Sequence, residues 1–470
     1  MPLVRLVAEG VGPFEKLDLD FSDGKGNPHP GPHILAGVNG SGKSTALKAI
    51  AWALDWASCG FPGENWGHFL TGHSRSRAAL FLKPSHHPAR CYACTNEAWP
   101  ESRIELEQWV ATSAPAGSKP LRVIRHEQGL LSPAIPRPAG TVWTWVEFGG
   151  AVSPVAPSRF NYAAYGSARS LAYLENTDLT KNLPDPFRNC LSFEETVQSE
   201  FVHSWLLGLY SKRALARELQ KPAKPYAETL ERFNRALSLV CGEGVVLMPE
   251  TEPTFHLRVR LFDRPTNFAQ LPDGVRSTMA WLSDFMMRQD RILWDQRLGA
   301  TRPGLLLLDE VDAHLHPSWQ RRLLPAMKEA LPDVQIIVAS HSPFVISSCE
   351  GARVHVLEVD EQGRARAQAP HGAPFGWSVT AALQDNFGVG SRWDLRTEQD
   401  LQRWDALKRR EAAGRLARRE KAELRQLIRQ LSERSEELRF LVGMPRQLST
   451  AVMDFGGGGK AGSRRRKSAR

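Results

Sequence analysis

Along the first residues of the chain, apolar and polar positions alternate, with Val4 and Leu6 on one side of a Gly/Pro turn and Leu17, Leu19 and Phe21 on the other. An apolar stretch from His33 to Ala36 then runs straight into a glycine-rich loop, and a helical pattern follows it from Thr45 to Leu54. Period-two alternation marks half-buried strands, and glycine clusters mark loops, so the order predicted is strand, strand, strand, loop, helix. Residues 57–160 are rich in Pro, Gly and Trp, with strand-like pieces at 103–112, 121–126 and 141–148. They read as an inserted β-rich arm.

The period changes over 193–241, where Phe201, Trp205, Leu206 and Leu209, then Leu230, Phe233 and Leu237, recur at helical spacing. A helical subdomain is therefore expected over 191–245, followed by strand pieces at 245–262. From residue 271 the predicted order is helix, strand (305–308), helix (318–330), strand (335–339), helix, strand (353–358). That alternation predicts an α/β fold with a mostly parallel sheet. The domain reading is residues 1–395 as one domain, 396–455 as a basic helical extension and 456–470 as a disordered tail. The extension carries apolar marks at Leu401, Trp404, Leu407, Leu424, Leu427, Leu431 and Leu438, as a helical hairpin would.

Charge changes this picture at one end. The formal net charge is +9, but residues 396–470 hold 20 Lys/Arg against 10 Asp/Glu, so that segment carries +10 and the preceding residues −1. The basic segment suits nucleic-acid phosphates, DNA or RNA, or an acidic face of a partner, or is simply a solvated helix pair. The N-terminus has no basic stretch followed by an apolar one, and no apolar run approaches the roughly 20 residues that span a bilayer, so a cytoplasmic location without membrane contact is expected. Six cysteines in 470 residues are too sparse for a disulfide framework. Cys91 and Cys94 form a lone C-x-x-C with His86 and His87 just upstream and His68, His73 and Cys59 farther back, which leaves thiols or a zinc site open.

Four segments carry chemistry. Gly37-Val38-Asn39-Gly40-Ser41-Gly42-Lys43-Ser44, with Thr45 after it, matches G-x-x-x-x-G-K-[ST] between an apolar strand and a helix. Its glycines let backbone N–H groups wrap a phosphate, Lys43 reaches the β/γ-phosphates, and the Ser44 hydroxyl ligates Mg²⁺. ATP or GTP is the ligand class. Leu305 to Leu308 make a buried strand that ends in Asp309 and Glu310, the first suited to holding the metal and the second to orienting or deprotonating water. Ile336 to Ala339 lead to Ser340-His341, which puts His341 where a γ-phosphate sensor belongs. Leu271-Pro272-Asp273-Gly274-Val275-Arg276-Ser277 opens a helix whose N-terminus would face the γ-phosphate of a second subunit, with Gly274 and Ser277 as the contacts.

In this order the motifs resemble the ABC ATPase superfamily, the heads of SMC-like and RecF-like ATPases rather than of membrane transporters. Within it they are similar to the OLD-like, or AAA, ATP-binding proteins of bacterial antiphage systems, of Septu and retron type. The likeness covers about residues 1–395, with 57–160 matching poorly. It implies ATP and Mg²⁺ as cofactors, a head-to-tail homodimer or higher homo-oligomer, and a separately encoded nuclease under its control. Residues 161–169 resemble the Q-loop region of that branch, so Tyr165, Gly166 and Arg169 carry over, without the usual glutamine. Pro272 stands where the superfamily signature has a serine, which points to slow hydrolysis. Two alternatives follow: a DNA-repair ATPase of the RecF or SMC kind, or a scaffold clamped by ATP with negligible turnover. No heptad run, acidic TOPRIM cluster or H-N-H signature is present in the sequence.

Overall fold

The computed structural model describes residues 3–59, 76–82, 90–95, 108–110, 112–113, 119–124, 142–146, 160–171, 185–241, 245–252, 255–261, 264–266, 270–292, 294, 301–374, 379, 381–383 and 393–443. Two compact units divide the chain, Met1–Phe375 and Gly376–Arg470.

Among the described residues the first unit is built on three sheets. Strands β1 (Leu3–Val11) and β2 (Phe14–Asp20) pair antiparallel, and β4 (Arg77–Leu82), β5 (Arg90–Thr95), β6 (Lys119–Ile124) and β7 (Val142–Val146) extend the same sheet in the order β2-β1-β4-β5-β7-β6. The β-rich segment thus grows out of the N-terminal sheet. One of its expected strands is corrected: residues 108–110 and 112–113 are helical turns. Trp109 explains the override. Its Nε1 donates to Glu9 Oε1 at 2.9 Å, and the Arg77 guanidinium lies 4.4 Å from its ring centroid. Tertiary contacts on the ring outweigh the local alternation.

The second sheet holds the chemistry. Its order is β15-β14-β3-β13-β12-β8, with β16 (His371–Gly372) pairing β14. Strands β3 (His33–Ala36), β8 (Asn161–Tyr165), β12 (Gly304–Leu308), β13 (Val334–Ala339) and β14 (Arg353–Val359) run parallel, and β15 (Ala365–Ala367) closes the edge antiparallel. Every residue of β3 and of β12 is buried, as expected of parallel strands covered on both faces. The third sheet is the antiparallel trio β9 (Val245–Glu250), β10 (His256–Leu261) and β11 (Arg264–Thr266).

Helix α1 (Lys43–Cys59) leaves the loop after β3. Helices α2 (Ser199–Glu218) and α3 (Lys224–Cys241) form the helical subdomain, and α4 (Asp273–Arg291), α5 (Pro317–Ala330) and the short α6 (Pro343–Ile346) alternate with β12 and β13. Gln335, in β13, binds the two ends of Leu3 backbone: Leu3 N donates to its Oε1 at 2.6 Å, and its Nε2 donates to Leu3 O at 2.9 Å. This amide links the antiparallel sheet to the parallel one.

The second unit has three described helices rather than a hairpin: α7 (Leu395–Ala412), α8 (Arg418–Arg434) and α9 (Glu436–Gly443). Leu401, Trp404, Leu407, Leu424, Leu427, Leu431, Leu438, Leu441 and Val442 form its core. Residues 456–470, expected to be a tail, lie outside the described residues. So do His68, His73, His86 and His87, and the side chains of Cys59, Cys91 and Cys94.

Candidate functional site

The C-terminal ends of β3, β12 and β13, three successive strands of one sheet, converge on the loop that follows β3. Ligands of open α/β sheets bind at that end. The loop needs its glycines. Gly37 has φ +151°, and a Cβ on it would lie 2.3 Å from Leu357 O; Gly42 has φ +88°, and a Cβ would lie 2.4 Å from the Phe14 ring. Gly40, at φ +80°, faces open space, and Val38, Asn39 and Gly40 are exposed at the lip of the loop. Ser41 is buried beneath them. The result is a backbone cradle, with Lys43, Ser44 and Thr45 in the first turn of α1.

Lys43 is buried, and its Nζ donates to Gly37 O and Val38 O, each at 3.0 Å. Burial pushes its pKa down to about 8, opposed by the negative charges of Asp309, Asp312 and Glu310. The ammonium therefore feels three carboxylates that lie far along the sequence from it, Asp309, Glu310 and Asp312. His341 joins them. Its imidazole is held below the ordinary histidine range by burial and then by the Lys43 cation, with Asp312, Glu310 and Asp309 acting against the shift. A neutral imidazole can donate one N–H to an anionic oxygen without adding charge.

Asp309 is nearly buried while Glu310 is exposed, so the two carboxylates occupy different surroundings on consecutive residues. The turn between them is held from both sides. Asp309 N donates to Tyr165 O at 2.9 Å, Glu310 N donates to Asp309 Oδ1 at 3.1 Å, and Glu310 itself takes φ +43°. Arg169, buried, spans this turn: Nη1 donates to Gly166 O at 2.5 Å and Asp309 O at 2.6 Å, and Nη2 to Glu310 O at 3.0 Å. Burial lowers the Arg169 pKa to about 10, against the three carboxylates, which leaves the guanidinium charged at neutral pH.

Two further residues serve the site that sequence reasoning gave no role. Asp312 Oδ1 accepts from Ser340 Oγ at 2.6 Å and from His341 N at 3.3 Å, which ties the end of β12 to the end of β13. Gln320 Oε1 accepts from Ser342 Oγ at 2.6 Å, while its Nε2 donates to Leu315 O at 2.9 Å. The carboxyl three residues after Asp309 was the available signal for Asp312.

Gly274 and Ser277 are placed differently. Gly274 is buried, and a Cβ on it would lie 2.5 Å from His314 O, so α4 packs its first turn on the segment after Glu310. Ser277 is buried within the same unit. Neither shares a hydrogen bond or ion pair with Lys43, Asp309, Glu310 or His341 among the described residues. The exposed residues of this turn are Pro272 and Asp273, and Pro272, at the N-cap, makes no side-chain capping bond.

Deeper in α4, Asp284 and Arg288 are both buried, with Arg288 Nε donating to Asp284 Oδ2 at 2.6 Å. Tyr165 Oη donates to the same oxygen at 2.7 Å, and Gln198 N to Asp284 Oδ1 at 3.1 Å. Arg288 also donates to Pro186 O, Arg188 O and Thr196 O. Burial and the Asp284 charge hold the Tyr165 phenol well above its usual range. This network fixes α4 to β8, the strand whose last carbonyl receives Asp309 N.

Mg²⁺ prefers hard oxygen donors and completes its shell with phosphate oxygens and water. The donors at hand fit that chemistry: the Ser44 hydroxyl in the first turn of α1 and the Asp309 carboxylate, whose charge reaches Lys43 beside it. Among the described residues no group of three or more His, Cys, Asp or Glu side chains is arranged to hold a metal ion, and no helix is long and apolar enough to cross a membrane.

Comparison with known proteins places this geometry in context. The domain family described as "AAA domain, putative AbiEii toxin, Type IV TA system" matches residues 169–347, and a second, described as "AAA domain", matches residues 5–78. The chain is 28% identical over 123 residues to the "Retron Ec83 probable ATPase" of Escherichia coli, covering 26% of this chain and 22% of that protein. It is 34% identical over 89 residues to "Septu protein PtuA" of Bacillus thuringiensis, covering 18% and 22%. It is 33% identical over 114 residues to the "Retron Vc95 probable ATPase" of Vibrio cholerae, covering 24% and 22%. The matched segments thus span about a fifth of these relatives' own lengths. Among solved structures, the SmcHead bound to the C-winged helix domain of ScpA aligns with a TM-score of 0.42 at 14% identity, over 80% of this chain and 98% of that one. The SMC head domain from Thermotoga maritima aligns with a TM-score of 0.35 at 15% identity, over 78% and 99%. By these matches the chain is similar to AAA-domain proteins, among them two retron probable ATPases and Septu protein PtuA.

Proposed function

We propose that this chain binds ATP with Mg²⁺ in the cradle after β3, hydrolyses it slowly, and works as the ATPase subunit of a prokaryotic antiphage complex that controls a nuclease. The observation that carries the reading is the meeting of Lys43, Asp309, Glu310 and His341 at the ends of adjacent parallel strands. Lys43 and the loop N–H groups would bind the phosphates. Ser44 and Asp309 would hold Mg²⁺, which when bound neutralises phosphate charge. Glu310, exposed on its left-handed turn, would orient or deprotonate the attacking water, and neutral His341 would donate to a γ-phosphate oxygen. Arg169 and Asp312 would hold Glu310 and His341 in place.

In this reading the α4 N-terminus of one copy faces the nucleotide of a second, head to tail, through the Pro272–Asp273 turn with Gly274 behind it. The partner nuclease and the dimer rest on the resemblance to Septu and retron ATPases. A second reading, an ATP clamp with negligible turnover, is favoured by one observation: Pro272 caps α4 without a side-chain hydrogen bond or an N–H of its own to offer. Calorimetric titration with ATP and Mg²⁺ tests the binding claim. Lys43→Ala should weaken binding on the order of 10²-fold, the worth of a charged hydrogen bond in a buried site. Equal affinity of wild type and variant would refute the assignment, and phosphate release from the wild type separates slow hydrolysis from a clamp.

A further inference from the structure

The second unit carries charge that nucleotide chemistry does not use. On α8 the carboxylates of Glu420 and Glu423 are committed: Glu420 accepts from Arg410 of α7 and from its own N-cap, Ala417 N, at 2.9 Å, while Glu423 accepts from both Arg403 Nε, at 2.6 Å, and Nη2, at 2.9 Å. Two further cations of α7 are neutralised within the helix, Arg409 on Asp405 and Lys408 on Glu411. Arg418, Lys421, Arg425 and Arg429 are treated differently. They recur at spacings of three and four residues, so they share one face of α8, flanking the buried Leu424, Leu427 and Leu431. All four are exposed, and none forms an ion pair among the described residues. Glu433, one turn beyond Arg429, is exposed and forms no ion pair with it.

We propose that this stripe binds the phosphate backbone of a nucleic-acid duplex without reading its sequence. Four cations in line over twelve residues extend about 16 Å along the helix, a length over which a duplex presents roughly ten phosphates. A single strand is the poorer fit, because sequence-tolerant strand binding relies on aromatic platforms. Helix α8 has no aromatic residue, Trp404 is buried in the core of the unit, and Phe440 is the one large exposed aromatic among the described residues there. An acidic protein face would also meet the charge, but α8 itself has no large exposed apolar side chain to anchor such an interface, Ile428 being half-buried against the core.

The test uses the full-length chain with a random-sequence DNA duplex and an RNA duplex of equal length, followed by fluorescence anisotropy between ~50 and ~200 mM salt. Each phosphate contact adds about 0.9 to the slope of log affinity against log salt. The variant R418Q/K421Q/R425Q/R429Q should therefore lose about 3 to 4 from that slope on at least one duplex, with helicity by circular dichroism and ATP affinity unchanged. If the fourfold variant loses helicity, the pairs R418Q/K421Q and R425Q/R429Q should each remove about half. An unchanged slope on both duplexes in a folded variant would overturn the proposal, as would wild-type preference for a single strand over either duplex. Lys43→Ala should keep the full slope, so failure of the ATP reading would be seen separately.

Discussion

His33 and His355 face each other across the neighbouring strands β3 and β14, with Nδ1 of the first 3.1 Å from Nε2 of the second and neither side chain exposed. The Phe21 ring packs against both, and His29, Arg353 and His371 are the cationic or titratable groups whose charge reaches them. Burial holds His33 well below its usual range and lowers His355 to about 3. The unfolded chain takes up protons on these rings near pH 6.5 and the folded chain does not, so stability is full above about 6.5 and is lost as pH falls toward 3. Each ring contributes up to about 1.4 kcal/mol per pH unit in that window. Urea unfolding of wild type and His355→Phe between those limits should show a shallower pH dependence in the variant; equal slopes would remove the pair from the acid response. Because β3 runs directly into the loop of Gly37–Ser44, this stability reaches the proposed nucleotide site as well.

Helix α4 shows how an element can be read from the sequence only in part. Its apolar period and its start at Pro272–Asp273 are plain in the sequence, but the pairing of Asp284 with Arg288, one turn apart, is not, although they sit on a helix otherwise buried on nearly every side. A charged pair on such a helix must be paired or metal-bound. Asp284→Ala leaves Arg288 without its carboxylate and frees Tyr165 Oη, and should cost about 3–5 kcal/mol in chemical unfolding. Asp284→Ala with Arg288→Met should recover much of that loss; a double variant as unstable as the single one would argue against the charge account.

The same limits explain other elements. The runs Leu305–Leu308 and Ile336–Ala339 were legible because strands covered on both faces are continuously apolar. Strand β5, RCYACT, was not, since its polar residues carry no period. Strand β8, NYAAY, is legible only through its resemblance to a Q-loop region, because five residues give too short a window for a period. Arg169 is legible only through that resemblance. That it grips the carbonyls of both Asp309 and Glu310 depends on the parallel pairing of β8 with β12, a contact between segments 140 residues apart. Asp312 needed the pairing of β12 with β13 in the same way.

At the scale of the whole molecule, charge and chemistry are separated along the chain. The near-neutral residues 1–395 contain the loop proposed to hold phosphate and the carboxylates beside it, and the +10 of residues 396–470 includes the α8 stripe. Composition made this division legible at once, while the pairing of Glu420 and Glu423 of α8 with Arg410 and Arg403 of α7 required coordinates. The parallel order of the site-bearing sheet was legible too, because strand and helix patterns alternate from residue 271 onward. The growth of the β-rich segment from the N-terminal sheet was not, since strand pairing across long separations leaves no local pattern.

The central claim is that Glu310 activates water for hydrolysis of a nucleotide held by Lys43. Single-turnover phosphate release from the full chain with ATP and Mg²⁺, compared between wild type and Glu310→Gln, tests it directly. Removal of a general base should slow release on the order of 10² to 10³-fold while ATP affinity stays unchanged, so that the variant retains bound ATP. Release at the wild-type rate from Glu310→Gln would contradict the account.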